Sequence, residues 1–265
     1  MKKTLLTIIA ILFNFAIAFS QTTSITAVSS SLVSVKDDID GPKKNNVKIS
    51  LTSLAFKNFQ LQYERSLTKR IGVVIGYSFI NKGAVPFKSQ LNELVSNNSE
   101  GQGMLNNTEL GYSAITPEIR FYLGQGYGKG FYIAPFYRHL KYDISGINFE
   151  YNSDLSTQKE DIDMGGKLTA NTFGLQFGAQ FNLGKHIILD WWIVGPHYGT
   201  SKGDFVGKTD RLLTPYEQSQ LQRELDDIDL PLGDVKAKAN ANGATINISG
   251  PWGGVRSGLS LGYRF

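Results

Sequence analysis

Cysteine is absent from the 265 residues and histidine occurs only three times. No disulfide framework, thiolate nucleophile or cysteine-ligated metal can be built, and a histidine-rich metal centre lacks ligands. Charged residues make up 19% of the chain, below the roughly 25% of ordinary soluble domains. The formal net charge of +4 is too modest to indicate a nucleic-acid partner. Past residue 20 no run of about 18 apolar residues occurs, which excludes a spanning helix. A Gly-x-Ser-x-Gly elbow, a phosphate-binding P-loop and a His-Glu-x-x-His pair are all missing. Disorder is excluded in turn by a hydrophobic content of 41%. Two residue classes are in excess: the chain has 28 Gly, together with 16 Phe, 12 Tyr and 3 Trp.

Met1-Lys2-Lys3 is a positive n-region and Thr4 to Phe19 a short apolar stretch. Ala18-Phe19-Ser20 supplies small residues at the third and first positions before Gln21. The pattern predicts a secretory signal peptide over 1–20, cleaved before Gln21, with no stop-transfer charges behind it. Residues 21–46 are rich in Ser and Thr, then Lys and Asp, and carry Gly41-Pro42. They read as an N-terminal periplasmic linker.

From Val47 the period changes to two. Val47-Lys48-Ile49-Ser50-Leu51-Thr52, Phe59-Gln60-Leu61-Gln62-Tyr63-Glu64 and the long stretch 172–183 alternate apolar with polar or glycine. Alternation marks strands with two different faces. It predicts eight strands, at about 47–55, 59–67, 71–81, 109–123, 130–144, 170–183, 187–199 and 252–265. The links after even strands are short. Three of the links after odd strands, 82–108, 145–169 and 200–251, are long. Tight turns at one end and long loops at the other fit an outer-membrane barrel. The expected fold is therefore all-β: an eight-stranded antiparallel up-and-down transmembrane β-barrel, 47–265, with long extracellular loops. The end of the chain, with Leu259, Leu261, Tyr263 and Phe265 alternating to a terminal aromatic, resembles the insertion signal of such barrels.

A lipocalin-type barrel also alternates, but with its apolar face inward. Here the odd face carries Phe59, Tyr63, Tyr77, Phe79, Phe121, Phe131, Tyr137, Phe173, Phe177, Phe181 and Trp191, while Gly72, Gly76, Gly174, Gly178, Gly258 and Gly262 lie on the even face. Small residues suit the crowded interior of eight strands, and aromatics suit membrane interfaces. The even face also holds Glu64, Glu118, Arg120, Arg138, Asp190, Arg256 and Arg264. An Arg facing lipid at mid-depth costs about 2–4 kcal/mol. Inward, Glu64, Glu118 and Asp190 against Arg120 and Arg138 form a charge network that fills the lumen. Keeping Asp190 inside requires a three-residue turn at 184–186. Eight strands leave no open pore.

The loops carry little chemistry. Loop 145–169 is acidic but lacks the spaced Asp-x-Asp-x-Asp-Gly of a calcium loop. In loop 200–251, Thr214-Pro215-Tyr216-Glu217 is a capping box, and Leu221, Leu225 and Ile228 recur at helical spacing. A helix over about 215–227 is expected, folded over the mouth, held on its own loops or docked on a partner. By parity His139 and His197 face lipid or the interface, and neither stands in a His-x-Ser pattern. No catalytic residues, metal ligands or cofactor are expected.

Five segments, Ile17-Ala18-Phe19-Ser20-Gln21, Phe59-Gln60-Leu61-Gln62-Tyr63-Glu64-Arg65, Thr116-Pro117-Glu118-Ile119-Arg120-Phe121-Tyr122, Gly130-Phe131-Tyr132-Ile133-Ala134-Pro135-Phe136 and Tyr263-Arg264-Phe265, together resemble a family of small Bacteroidota-type outer-membrane β-barrels. The resemblance covers about 47–265. It implies the fold and an outer-membrane location and gives no activity. The expected partners are outer-membrane lipids, the barrel-assembly machinery during biogenesis, and an extracellular protein met by the loops; the chain is expected to be a monomer and to bind no nucleic acid. Three functions stand open: a structural or surface-interaction barrel, an outer-leaflet lipid-modifying enzyme, and a narrow channel.

Overall fold

A computed structural model describes residues 42–86, 88, 106–152, 159–226, 228 and 233–265. The expected signal peptide and most of the linker lie outside them. The elements are β1 (Asn45–Ser50), α1 (Leu51–Ala55), β2 (Phe59–Ser66), β3 (Ile71–Ala84), β4 (Glu109–Tyr122), β5 (Gly130–Asn152), β6 (Lys159–Asn182), β7 (Ile187–Lys208), α2 (Pro215–Asp226), β8 (Asp234–Asn240) and β9 (Gly243–Arg264). All strand pairs are antiparallel, in the order β1-β2-β3-β4-β5-β6-β7-β9-β8, and β1 pairs back onto β9. Eight strands thus close a ring. β8, a ninth strand that the alternation did not reveal, lies outside that closure and pairs with the far part of β9. Closure is sealed at the ends by reciprocal bonds, Asn45 N to Phe265 O (3.0 Å) and Phe265 N to Asn45 O (2.9 Å).

The turns keep the faces in phase. Leu67 N donates to Ile71 O and Leu183 N to Ile187 O, each at 2.8 Å. Both turns span three residues, so Asp190 points inward as the pattern requires. Even residues face inward along β2, along β3 as far as Ile80, and along β4, giving a strict exposed–buried alternation over Phe59–Ser66.

The lengths differ from the sequence reading. β1 ends at Ser50, not near 55. The Ser50 hydroxyl accepts from Ser53 N (3.2 Å) and caps the short α1, and Lys57 takes a left-handed φ of 56° to turn the chain into β2. At the other side the ring continues upward. Residues 145–152 and 159–169 are not loop but continue β5 and β6, and 200–208 and 243–251 continue β7 and β9. Ile144, Ile147, Ile162, Met164, Leu168, Phe205 and Ile246 point inward there and are buried. The wall is therefore low at β1 and β2 and high at β5, β6, β7 and β9.

Helix α2 covers the upper interior. Its cap is reciprocal: Glu217 N donates to Thr214 Oγ1 (3.3 Å), and Thr214 N donates to the Glu217 carboxylate (2.9 Å). Leu213, Leu221 and Leu225 join the apolar cluster beneath it, and Gln222 bonds the backbone of Ala237 and Ala239 in β8. Of the alternatives open in the sequence, the helix is held on its own segment, against β8. Residue 227 lies outside the described residues.

Candidate functional site

The interior is built in three storeys. The lowest is ionic. Lys48 Nζ lies 2.5 Å from Glu64 Oε2 and 2.7 Å from Asp190 Oδ2 and donates to Gln180 Oε1 at 2.6 Å. Arg120 Nη1 reaches Asp190 Oδ2 at 2.7 Å and Glu64 at 3.6 Å, and its Nη2 reaches Glu118 at 3.2 Å. Arg256 Nη2 holds the other Glu118 oxygen at 2.8 Å. Tyr122 and Tyr132 donate to Glu64 (2.5 Å) and Asp190 (2.9 Å). The Arg120 guanidinium lies 4.3 Å from the Tyr132 ring centre. Lys48, Glu64, Arg120 and Asp190 are all but sealed from solvent.

Register places these groups together: Gln62 opposes Lys48, Val74 opposes both Glu64 and Glu118, and Asp190 opposes both Gln180 and Ser260. Every partner comes from an even position, and together they draw on β1, β2, β4, β5, β6, β7 and β9. Tyr132 fits because Gly178 opposes it across β5–β6; a Cβ there would overlap the Tyr132 ring. Below, the β4–β5 turn tucks under the ring. Gln180 Nε2 donates to Gly128 O (2.7 Å), and Arg264 Nη2 donates to Tyr127 O (2.8 Å). The lower mouth is shut.

Glu64, Glu118, Arg120 and Asp190 thus meet as the even-face pattern indicated, but Arg138 does not join them. It stands one storey higher, where its guanidinium donates to the Tyr112 hydroxyl. Its place in the charge balance is taken by Arg256 and by Lys48. Lys48 sits at an even position in the first alternating run, so parity alone would have found it.

The middle storey is a cavity of about 70 Å³, room for a few waters. Arg138, Arg256, His197, Tyr112, Trp192 and Trp252 line it. Arg256 stacks against Phe136 (4.5 Å) and Trp192 (5.2 Å). The position of His197 corrects the parity expectation: the ring points inward, 6.0 Å from Phe136, instead of outward. A bulge between Trp192 and Gly195, in register with both neighbours of β7, inserts one residue and inverts every face above it. His139, below the irregularity of β5 at Ile144/Ile147, does face outward, toward Asn171 Oδ1 (2.8 Å). The third storey is the apolar cluster under α2.

Leu261, Tyr263 and Phe265 lie on the outer face, and Leu259 is half-buried beside them. Tyr263 stacks on Phe265 (6.3 Å) and on His186 (5.1 Å). Among the described residues no group of three His, Asp or Glu is placed to hold a metal, and no helix is long and apolar enough to cross a membrane. Neither the protein-family models nor the curated proteins give a match to this chain.

Proposed function

We propose that this chain is an outer-membrane β-barrel with a blocked interior, whose tall upper wall and α2 form an interaction surface outside the cell. One observation carries the reading: the polarity of the wall inverts along its height. In the lower half charges lie inside and large apolar side chains lie outside, Phe59, Leu61, Ile75, Ile119, Phe131, Phe177 and Trp191 among them. In the upper half the inside is apolar, and above Tyr198 the exposed large hydrophobics among the described residues are Val206, Leu212 and Tyr216. An apolar solvent around the lower half and water around the upper half account for both. Along β4 and the residue after it, the apolar outer stretch from Ile115 to Leu123 runs nine residues, the length a tilted strand needs to cross hydrocarbon.

Tyr137, His139, Asn171 and Phe173 form an amphipathic edge at the level of the transition, with Tyr137 donating to Asn171 Oδ1 at 2.5 Å. Such an edge suits a membrane interface. The ionic storey argues against the channel reading, because it fills the cross-section. The enzyme reading draws on His197 and Ser53 sharing one cavity, but His197 Nδ1 has no acceptor, whereas a triad base is held by a carboxylate.

The test is reconstitution. Folded protein should require detergent or lipid, migrate differently before and after boiling, and give no steady current in planar bilayers. Solubility of the folded protein without detergent would overturn the membrane reading, and a steady current would overturn the blocked interior.

A further inference from the structure

The three carboxylates of the ionic storey, Glu64, Glu118 and Asp190, are matched one for one by Lys48, Arg256 and Arg120. Among the described residues Arg138 is therefore an unmatched positive charge. Its partner is a neutral hydroxyl, that of Tyr112. Beside it, Arg256 is only 6% exposed, and its Nη1 and His197 Nδ1 are buried without a hydrogen-bond partner. A half-closed cavity with one surplus charge and two idle nitrogens is complementary to an anion.

The cavity also has a side entrance. The β1-facing edge of β9 is paired to β8 over 243–249 and to β1 over 260–264. Between them, residues 250–259 have no strand partner on that edge among the described residues. Helix α1 approaches there, where Leu259 N donates to Thr52 Oγ1 (3.3 Å). Trp252 and Arg256 face inward and Val255 and Ser257 outward, yet all four line the cavity. A cavity that touches both faces of one strand runs out past its edge. Outside this edge stand Leu51 and Phe59, 41% and 51% exposed, with Phe59 stacked on Phe79 at 5.7 Å. An apolar shelf thus adjoins a cationic cavity.

We propose that this cavity binds an oxyanion, a phosphate or carboxylate group, and that the side entrance between β9 and α1 admits it as the headgroup of a membrane amphiphile. The entrance rests on the membrane reading above; the anion site does not. Arg138 supplies the charge, Arg256 Nη1 and His197 donate, and Tyr112 orients Arg138.

Calorimetry on the full chain in non-ionic detergent tests both parts, with three probes: inorganic phosphate, a single-chain lysophosphatidic acid, and the monoacylglycerol of the same chain. The phosphate-bearing amphiphile should bind at one site, and Arg138→Gln should weaken it at least tenfold while Arg138→Lys restores most of it. The neutral monoacylglycerol should not bind. Val255→Trp should block the amphiphile and leave inorganic phosphate unaffected. If inorganic phosphate binds as tightly as the amphiphile, the oxyanion site stands and the source is a free anion. If neither phosphate probe binds, or if Arg138→Gln binds as wild type does, the proposal is overturned. The boiled and unboiled mobility of each variant reports folding separately, so a failure of the barrel reading is distinguishable from a failure of the site.

Discussion

Replacing Lys48 by Met tests whether the ionic storey acts as one balanced unit. The substitution keeps the length of the side chain and removes the charge that stands 2.5 Å from Glu64 and 2.7 Å from Asp190. Asp190 keeps Arg120 at 2.7 Å, while Glu64 is left with Arg120 at 3.6 Å and the Tyr122 hydroxyl. Breaking a fully buried ion pair from one side costs about 3–5 kcal/mol, because the orphaned charge stays desolvated. Neutralising that orphan should recover much of the loss. Lys48→Met with Glu64→Gln should thus be more stable than the sum of the singles by about 2–3 kcal/mol, near the upper end of measured coupling energies. Pairing Lys48→Met with Asp190→Asn should recover less, since it also takes from Arg120 its closest partner. Urea unfolding in lipid vesicles, followed by tryptophan emission and by gel mobility without boiling, measures the wild type and all five variants. Additive costs in the Lys48–Glu64 pair, or a Lys48→Met cost below about 1 kcal/mol, would refute the balanced-unit argument.

Other outcomes follow from single contacts. Gly178→Ala should destabilise by about 1–3 kcal/mol through overlap with the Tyr132 ring, and Tyr132→Phe, which only loses the bond to Asp190, should cost less; the same unfolding assay compares them. Thr214→Ala removes the capping hydroxyl of α2 and should cost about 1 kcal/mol of local stability, read as faster amide exchange over 215–226 with the ring unchanged. Leu221→Ala, which empties a site in the upper cluster, should cost about 2–5 kcal/mol and expose α2 to protease. The hydrogen bond from Lys82 holds the exposed Asp143 carboxyl below its usual range. Its contribution is therefore present above the ordinary carboxylate pKa and fades as pH falls through the lowered one; for an exposed pair it stays below about 1 kcal/mol, and comparing wild type with Asp143→Asn at pH 6 and pH 3 measures it.

The lower half of the ring was legible in the sequence because two-residue alternation writes burial directly onto parity. Glu64, Glu118, Arg120 and Asp190 could be assigned to one interior from their even numbers and from two three-residue turns. Parity breaks at a bulge, however, and the one between Trp192 and Gly195 carries no residue signature apart from the glycine. That is why His197 was expected outside. Arg138 was misassigned for a different reason: parity gives the face but not the height. Its register partner on β6 is Thr172, eight residues up the wall from Gln180, which opposes Asp190, and on its other side Glu118 is already held by Arg120 and Arg256. The upper strands were hidden because their composition belongs to an ordinary water-exposed sheet. The stretches 145–169 and 200–251 are rich in polar and charged residues, and length with polarity reads as loop. The capping box of α2 was legible because it is a local motif whose two bonds lie within four residues.

The ionic storey has a role in specifying the structure that its net stability does not require. A well-packed apolar interior can be as stable as a buried ion network, but on the proposed membrane reading an apolar interior would leave both faces of each strand alike. A strand could then slip by one residue at little cost, since slippage exchanges its faces. With the charges in place, a one-residue slip of β4 turns Glu118 and Arg120 outward together. An arginine facing lipid at mid-depth alone costs about 2–4 kcal/mol, and the carboxylates left inside lose their partners as well. β1 and β2 need this most, because they are the shortest strands of the ring, with six and eight residues, and have the fewest ladder bonds to hold their register. They contribute Lys48 and Glu64, the closest ion pair among the fully buried charges. The short wall thus carries the tightest charge contact, and the upper part of the tall wall, above Asp190 and Arg256, packs an apolar core beneath α2.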